Sequence, residues 1–148
     1  MPPARDKTLR REGRAAALQM LYAMELNGQP AEQVEGWYAE NHPLPLAARQ
    51  FSHELLHGAV AQRPEAEALY SAHLRHWRPE RLSVIDRCLL WLAASELLGE
   101  RFVPLPVLVD EYVRLAKRYS RPEAVPFMNA IVEAMARARR AAPAAPPS

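Results

Sequence analysis

The stretch Arg10–Leu26, RREGRAAALQMLYAMEL, decides the fold. Its first turn carries Arg10, Arg11 and Arg14, and its remaining turns are almost wholly apolar, from Ala15 to Met24. A helix that is apolar on every side has to be buried on every side. At about 100° per residue, Arg11 and Arg14 share a stripe with Leu18, Leu21 and Tyr22. The sequence therefore predicts a central helix whose basic N-terminus projects from the body towards something anionic. Three arginines stand against the positive end of the helix dipole, which implies a purpose beyond solubility. Guanidinium groups for phosphate and an aromatic ring (Tyr22) for base stacking are the parts of a single-stranded RNA site.

Working outward, Asn27-Gly28 is a helix-ending pair. A weaker second helix is expected from Ala31 to about Glu40, with Val34, Trp37 and Tyr38 on its apolar face. A third is expected from Leu46 to about Ala61, with Phe51, Leu55, Leu56 and Val60 on one stripe. Pro64 opens a fourth, running to Trp77, where His76-Trp77 closes it. Leu82–Leu98 is the second strongly apolar segment, and Ser83-Val84-Ile85-Asp86 before it reads as a capping box. Glu96 is a carboxylate in otherwise apolar surroundings. It must face solvent, pair with an arginine or bind a partner, because burial alone is costly. The next helix runs to about Tyr119, with Asp110–Arg114 and Glu111–Arg118 as outer-face pairs, and the last from about Pro126 to Arg139. No strand-like alternation occurs. The expectation is an all-α fold of about seven helices in two small packed bundles. Residues 1–8 are expected to be a disordered basic N-terminus, 9–139 a single helical domain (halves 9–78 and 79–139), and 140–148 a disordered tail.

The 148 residues are 49% apolar with a net charge of +2, too small to argue for nucleic acid by itself. The distribution is more telling. Residues 1–14 hold five basic residues against two acidic, whereas 32–70 hold six acidic against two basic. All but Lys7 and Lys117 of the 19 basic residues are arginine, the side chain suited to bidentate phosphate contacts. The single cysteine, Cys88, sits among leucines and reads as a small hydrophobe, not a nucleophile. The absence of a signal peptide and of any apolar run long enough for a membrane helix points to a cytoplasmic protein.

One motif competes for attention. His53-Glu54-Leu55-Leu56-His57 reads H-E-x-x-H, the helical zinc-peptidase pattern of two imidazoles one turn apart with a glutamate as base. No third ligand follows at a recognised spacing. An amphipathic helix with exposed histidines explains the residues as well.

Three blocks resemble the NusB family of transcription antitermination factors. They are Arg14–Tyr22 after the arginine-rich start, the apolar helix Ile85–Leu97 with Glu96 in a family glutamate position, and Val103–Lys117 followed by Phe127 and Asn129. The resemblance implies an all-helical protein without enzymatic activity or cofactor. Its partners would be boxA-type single-stranded RNA, NusE (a small-subunit ribosomal protein) and the RNA polymerase antitermination complex with other Nus factors. The second half would present a face to NusE, and a homodimer is open. Carried over by residue, it implies RNA-binding roles for Arg10, Arg11, Arg14, Tyr22, Asp86, Glu123 and Phe127. Pro126 and Ala130 stand where the family has lysine and glycine, so Arg118 and Arg121 are expected to compensate. The alternative readings are a zinc metallopeptidase through His53, Glu54 and His57, and a helical scaffold that binds protein alone.

Overall fold

The computed structural model describes residues 3–74, 82–99 and 101–141. They form seven helices: α1 (Pro3–Asn27), α2 (Ala31–Asn41), α3 (Leu46–Ala61), α4 (Arg63–Ser71), α5 (Val84–Leu98), α6 (Leu105–Tyr119) and α7 (Ala124–Ala141). No strand occurs among the described residues.

The apolar helices sit where their composition demands. On α5, every residue from Cys88 to Glu96 is buried. This helix packs against α1, α3, α4, α6 and α7, so both halves of the chain share its surface. On α1, Ala15 to Leu18, Met20 and Leu21 are buried in the same core. Small residues let α1 and α3 approach closely. A Cβ on Gly13 would lie 3.0 Å from the Ala48 carbonyl oxygen and 3.4 Å from the Phe51 Cβ. The inner stripe of α3 accordingly includes Ala48, Ser52 and Ala59 beside Phe51 and Leu56, while Val60, expected inside, is exposed. Burial pushes the Cys88 thiol up to about 12, with Glu25 adding to the shift, so it stays protonated as the core hydrophobe its setting implied.

Boundaries depart from expectation in three places. α1 starts at Pro3, earlier than the expected Leu9, with Asp6 and Arg10 paired at 3.5 Å across one turn. A proline at the first position costs nothing there, since its missing N–H has no partner in a first turn. α4 ends at Ser71; the expected closure at His76-Trp77 lies outside the described residues. α7 begins at Ala124 and takes Pro126 into its first turn. The expected stops and caps recur. Gly28 adopts φ +67 and donates its N–H to the Met24 carbonyl at 2.8 Å, and Ser83 Oγ accepts the Asp86 N–H at 3.2 Å.

Two of the three helical glycines among the described residues should respond oppositely. Gly13→Val drives branched atoms into the α3 backbone and is expected to cost about 1–3 kcal/mol. Gly36, on α2 with nothing within 4 Å of its added Cβ, should gain about 0.5–1 kcal/mol on mutation to alanine. Urea midpoints of the two variants check this.

Candidate nucleic-acid interface

The three arginines at the head of α1 have three different fates. Arg10 is partly exposed beside Asp6. Arg11 is about one-third exposed, and its Nε donates to both carboxylate oxygens of the buried Glu111 at 3.0 and 3.1 Å. Arg14 is buried. It donates from Nε and Nη2 to the two oxygens of Glu96 at 2.9 and 2.6 Å, and its guanidinium carbon lies 5.2 Å from the Phe51 ring centroid. Tyr112, wholly buried on α6, donates its hydroxyl to the same Glu96 oxygen at 2.8 Å. Burial alone would push the Arg14 pKa down; the hydrogen bond and attraction of Glu96 outweigh it and leave it raised. Burial, helped by the Glu96 charge, holds the Tyr112 phenol well above its usual range. Arg14 is therefore an interior cation in this structure, not part of the projecting head, and Glu96 takes the arginine-paired option of the three left open for it.

Between α1 and α6 runs a cleft of about 530 Å³ whose walls include Arg11, Arg114, Lys117 and Arg118. Asp110 and Glu111 line it too, and Asp110 holds Arg114 at 3.0 Å as the helical spacing implied. Glu111, however, is taken by Arg11 and not by Arg118. The Arg118 guanidinium instead lies 4.9 Å from the centroid of the Tyr119 ring. That ring leads into a second hollow of about 380 Å³, lined by Gln19, Tyr22, Trp37, Tyr38, Ile85 and Tyr119 among others. Gln19 Nε2 donates to the Tyr119 hydroxyl at 2.9 Å, while Tyr22 and Trp37 are 37% and 56% exposed. His42 stacks on Tyr38 with ring centroids 4.6 Å apart and meets Trp37 edge-on at 5.7 Å. A basic cleft and an aromatic hollow thus adjoin through Arg118 and Tyr119. A guanidinium over a ring face is attracted to the ring's negative face.

Asp86 is buried at the first turn of α5 and accepts a hydrogen bond from Ser120 Oγ at 2.5 Å. It anchors the connection between α6 and α7, on which Arg121 and Glu123 are exposed. Phe127, given an RNA-binding role by the resemblance, is buried in the core of this structure. The structure thus brings Arg11, Arg14 and Arg118 to one cleft and Tyr22 to the adjoining hollow. Arg10, Arg121 and Glu123 line neither. Reading the sequence missed Arg114, Lys117, Gln19, Trp37, Tyr38 and Tyr119 as members of this face. Lys117 falls in the third family-like block and Trp37 on the expected apolar face of α2, but nothing in helical spacing shows that Trp37 stays exposed.

The zinc-peptidase arrangement does not form. His53 and His57 both face Glu35 of α2, and Glu54, the base such a site needs, pairs with Arg101 at 2.9 Å.

A seven-helix protein with a basic cleft leading into an aromatic hollow has the build of an RNA-facing adaptor. Comparison with known proteins narrows this. Residues 11–137 match the model of the NusB family. The chain is 38% identical over 129 residues to the transcription antitermination protein NusB of Koribacter versatilis, covering 86% of this chain and 88% of that one. It is 35% identical to the NusB of Sorangium cellulosum, covering 86% and 91%. Among solved structures, NusB of T. maritima superposes with a TM-score of 0.77 at 32% identity, covering 86% of this chain and 90% of that one. A chain from the crystal structure of antitermination factors NusB and NusE in complex with dsRNA superposes with a TM-score of 0.78. It shares 23% identity over 88% of this chain and 98% of that one, a likeness of fold. The chain belongs to the NusB family of transcription antitermination factors, which are not enzymes. No helix among the described residues is long and apolar enough to cross a membrane.

Breaking the interior pair from one side should be severe. Arg14→Ala strands the Glu96 carboxylate, and Glu96→Ala strands the guanidinium; each is expected to cost about 3–5 kcal/mol. Arg10→Ala, at a partly exposed pair, should cost no more than about 1 kcal/mol. Denaturant unfolding of the three variants separates interior from surface arginine.

Proposed function

We propose that this chain is a cytoplasmic antitermination adaptor. It binds boxA-type single-stranded RNA together with NusE and joins the RNA polymerase complex with other Nus factors, supporting ribosomal RNA transcription. The observation that carries this reading is the junction of the α1/α6 cleft with the aromatic hollow at Arg118 and Tyr119. Phosphates would run along Arg11, Arg114, Lys117 and Arg118. Glu111 engages Arg11 through Nε, which leaves the terminal nitrogens without a hydrogen bond to Glu111. Bases would stack on Tyr22, Trp37 or Tyr119. Arg10, Arg121 and Glu123 would contact RNA beyond this path, and Arg14 and Asp86 would serve it by holding the helices that form it. The NusB relatives support the assignment, as does the shared fold of a chain solved in a complex containing NusE and RNA. RNA and NusE, if each favours the same arrangement of this surface, must tighten one another's binding by the same factor.

Fluorescence anisotropy with a short boxA-like strand and a scrambled one, at two salt concentrations and with or without NusE, tests this. Selective binding strengthened by NusE is expected. Lys117→Ala and Arg118→Ala should each flatten the log–log salt slope by about 0.7, the value for one phosphate contact on a single strand. Tyr22→Ala or Trp37→Ala should cost about 1–3 kcal/mol at either salt. Equal, weak binding to both strands with no response to NusE overturns the reading, and NusE binding without RNA affinity leaves a protein-only scaffold.

A further inference from the structure

The H-E-x-x-H motif retains a feature that antitermination does not use. His53 Nδ1 lies 2.8 Å from one carboxylate oxygen of Glu35, and His57 Nε2 lies 2.5 Å from the other. The two rings, one helical turn apart on α3, have centroids 4.1 Å apart. One ligand atom from each of these three residues falls within 4.8 Å of the others. We propose that Glu35, His53 and His57 form a non-catalytic site for a divalent metal of the zinc class, clamping α2 to α3.

The donor set selects the metal. Two imidazole nitrogens and one carboxylate suit zinc and its transition-metal neighbours, whereas magnesium and calcium prefer all-oxygen shells. Zinc–nitrogen and zinc–oxygen distances of about 2.0–2.2 Å bring ligand atoms to roughly 3.3 Å from one another. Small side-chain rotations close the present triangle to that size. The metal then takes the place of the hydrogens now lying between each ring and the carboxylate. A neutral His53 ligates through Nδ1 and carries its proton on Nε2; a neutral His57 ligates through Nε2 and carries its proton on Nδ1. The site is reachable, because the His53 and His57 side chains are 58% and 32% exposed and Glu35 is 21% exposed. It borders a cavity of about 710 Å³, lined in part by Glu35, His42 and His53, in which water completes the coordination shell. The glutamate inside the motif takes no part: Glu54 is 62% exposed and held by Arg101. The third ligand comes from another helix, Glu35 of α2.

Equilibrium dialysis and calorimetry of the untagged full chain with zinc chloride test the proposal, with magnesium chloride as the comparison. One equivalent of zinc and no magnesium is expected. His53→Ala, His57→Ala and Glu35→Gln should each weaken zinc binding at least about tenfold, and Glu54→Gln should leave it unchanged. Circular dichroism in chelator establishes that each variant is folded. Long-range ¹H–¹⁵N spectra of the zinc-loaded protein should show His53 ligated at Nδ1 and His57 at Nε2. Zinc affinity that survives the double His53→Ala/His57→Ala variant overturns the site. So does a Glu54→Gln variant as impaired as His53→Ala, which would return the third ligand to the motif itself.

Discussion

The buried contact of Arg14 with Glu96 and Tyr112 is the constraint on which the rest of this molecule depends. It joins α1, α5 and α6 at one point, between residues 82 and 16 positions apart in sequence. Taking a carboxylate and a guanidinium out of water costs several kcal/mol per ion, and the cost is recovered only with near-ideal geometry. Here two parallel N–H donors meet two oxygens, and a phenol satisfies a further lone pair. An arrangement so demanding in geometry admits little slippage of one helix along another. It fixes how α1 lies beside α6, and therefore the cleft that the same two helices enclose.

The contrast between Arg14 and Arg11 shows how one helix end can serve both packing and recognition. Glu96 engages Nε and Nη2 of Arg14 inside the core. Glu111, also buried, engages Arg11 by Nε alone. Arg11 is thus held in place while about one-third exposed, which lowers the entropy a phosphate contact would cost. Arg118 reaches a similar state differently, lying over the Tyr119 ring with no carboxylate involved. The acidic residues along the cleft work as brackets that aim cations, in addition to lowering the net charge.

Much of this was legible in the chain. Uniform apolarity announced α1 and α5 as the interior helices, Asn27-Gly28 marked the end of α1, and the Ser83 cap opened α5. The same helical arithmetic also placed Arg14 on the stripe of Leu18 and Leu21, and that stripe is buried. Reading Arg14 as part of a projecting head gave its charge more weight than its position. What could not be seen was the compensating anion, because Glu96 lies on another helix and only tertiary packing brings it near. Glu111 and Arg118 show the same limit from the other side. Local spacing offered them to one another, and Arg11, 100 residues away, took Glu111 instead. The two histidines of the H-E-x-x-H motif do share a face as spacing requires, yet the carboxylate they meet is Glu35 and not their sequence neighbour. Asp86 and Phe127, given RNA-binding roles by resemblance, are both buried: one accepts a hydrogen bond from Ser120 and the other packs in the core.

The aromatic hollow rests on a short helix. α2 has only 11 residues, is preceded by Pro30 without a side-chain cap, and carries Gly36 in its middle. A helix of that length has little stability of its own and depends on what it packs against. Ala31, Val34 and Tyr38 supply the buried face, and Glu35 supplies a polar tie to α3. Trp37, at the opposite extreme of exposure, belongs to the hollow. The wall that meets a stacked base is therefore positioned by contacts on the other side of the same short helix. The basic cleft has no such weakness, since both its walls are pinned by buried carboxylates. Recognition on this face joins a rigid electrostatic track to a softer aromatic wall, and whatever steadies α2 against α3 steadies the aromatic half of the surface.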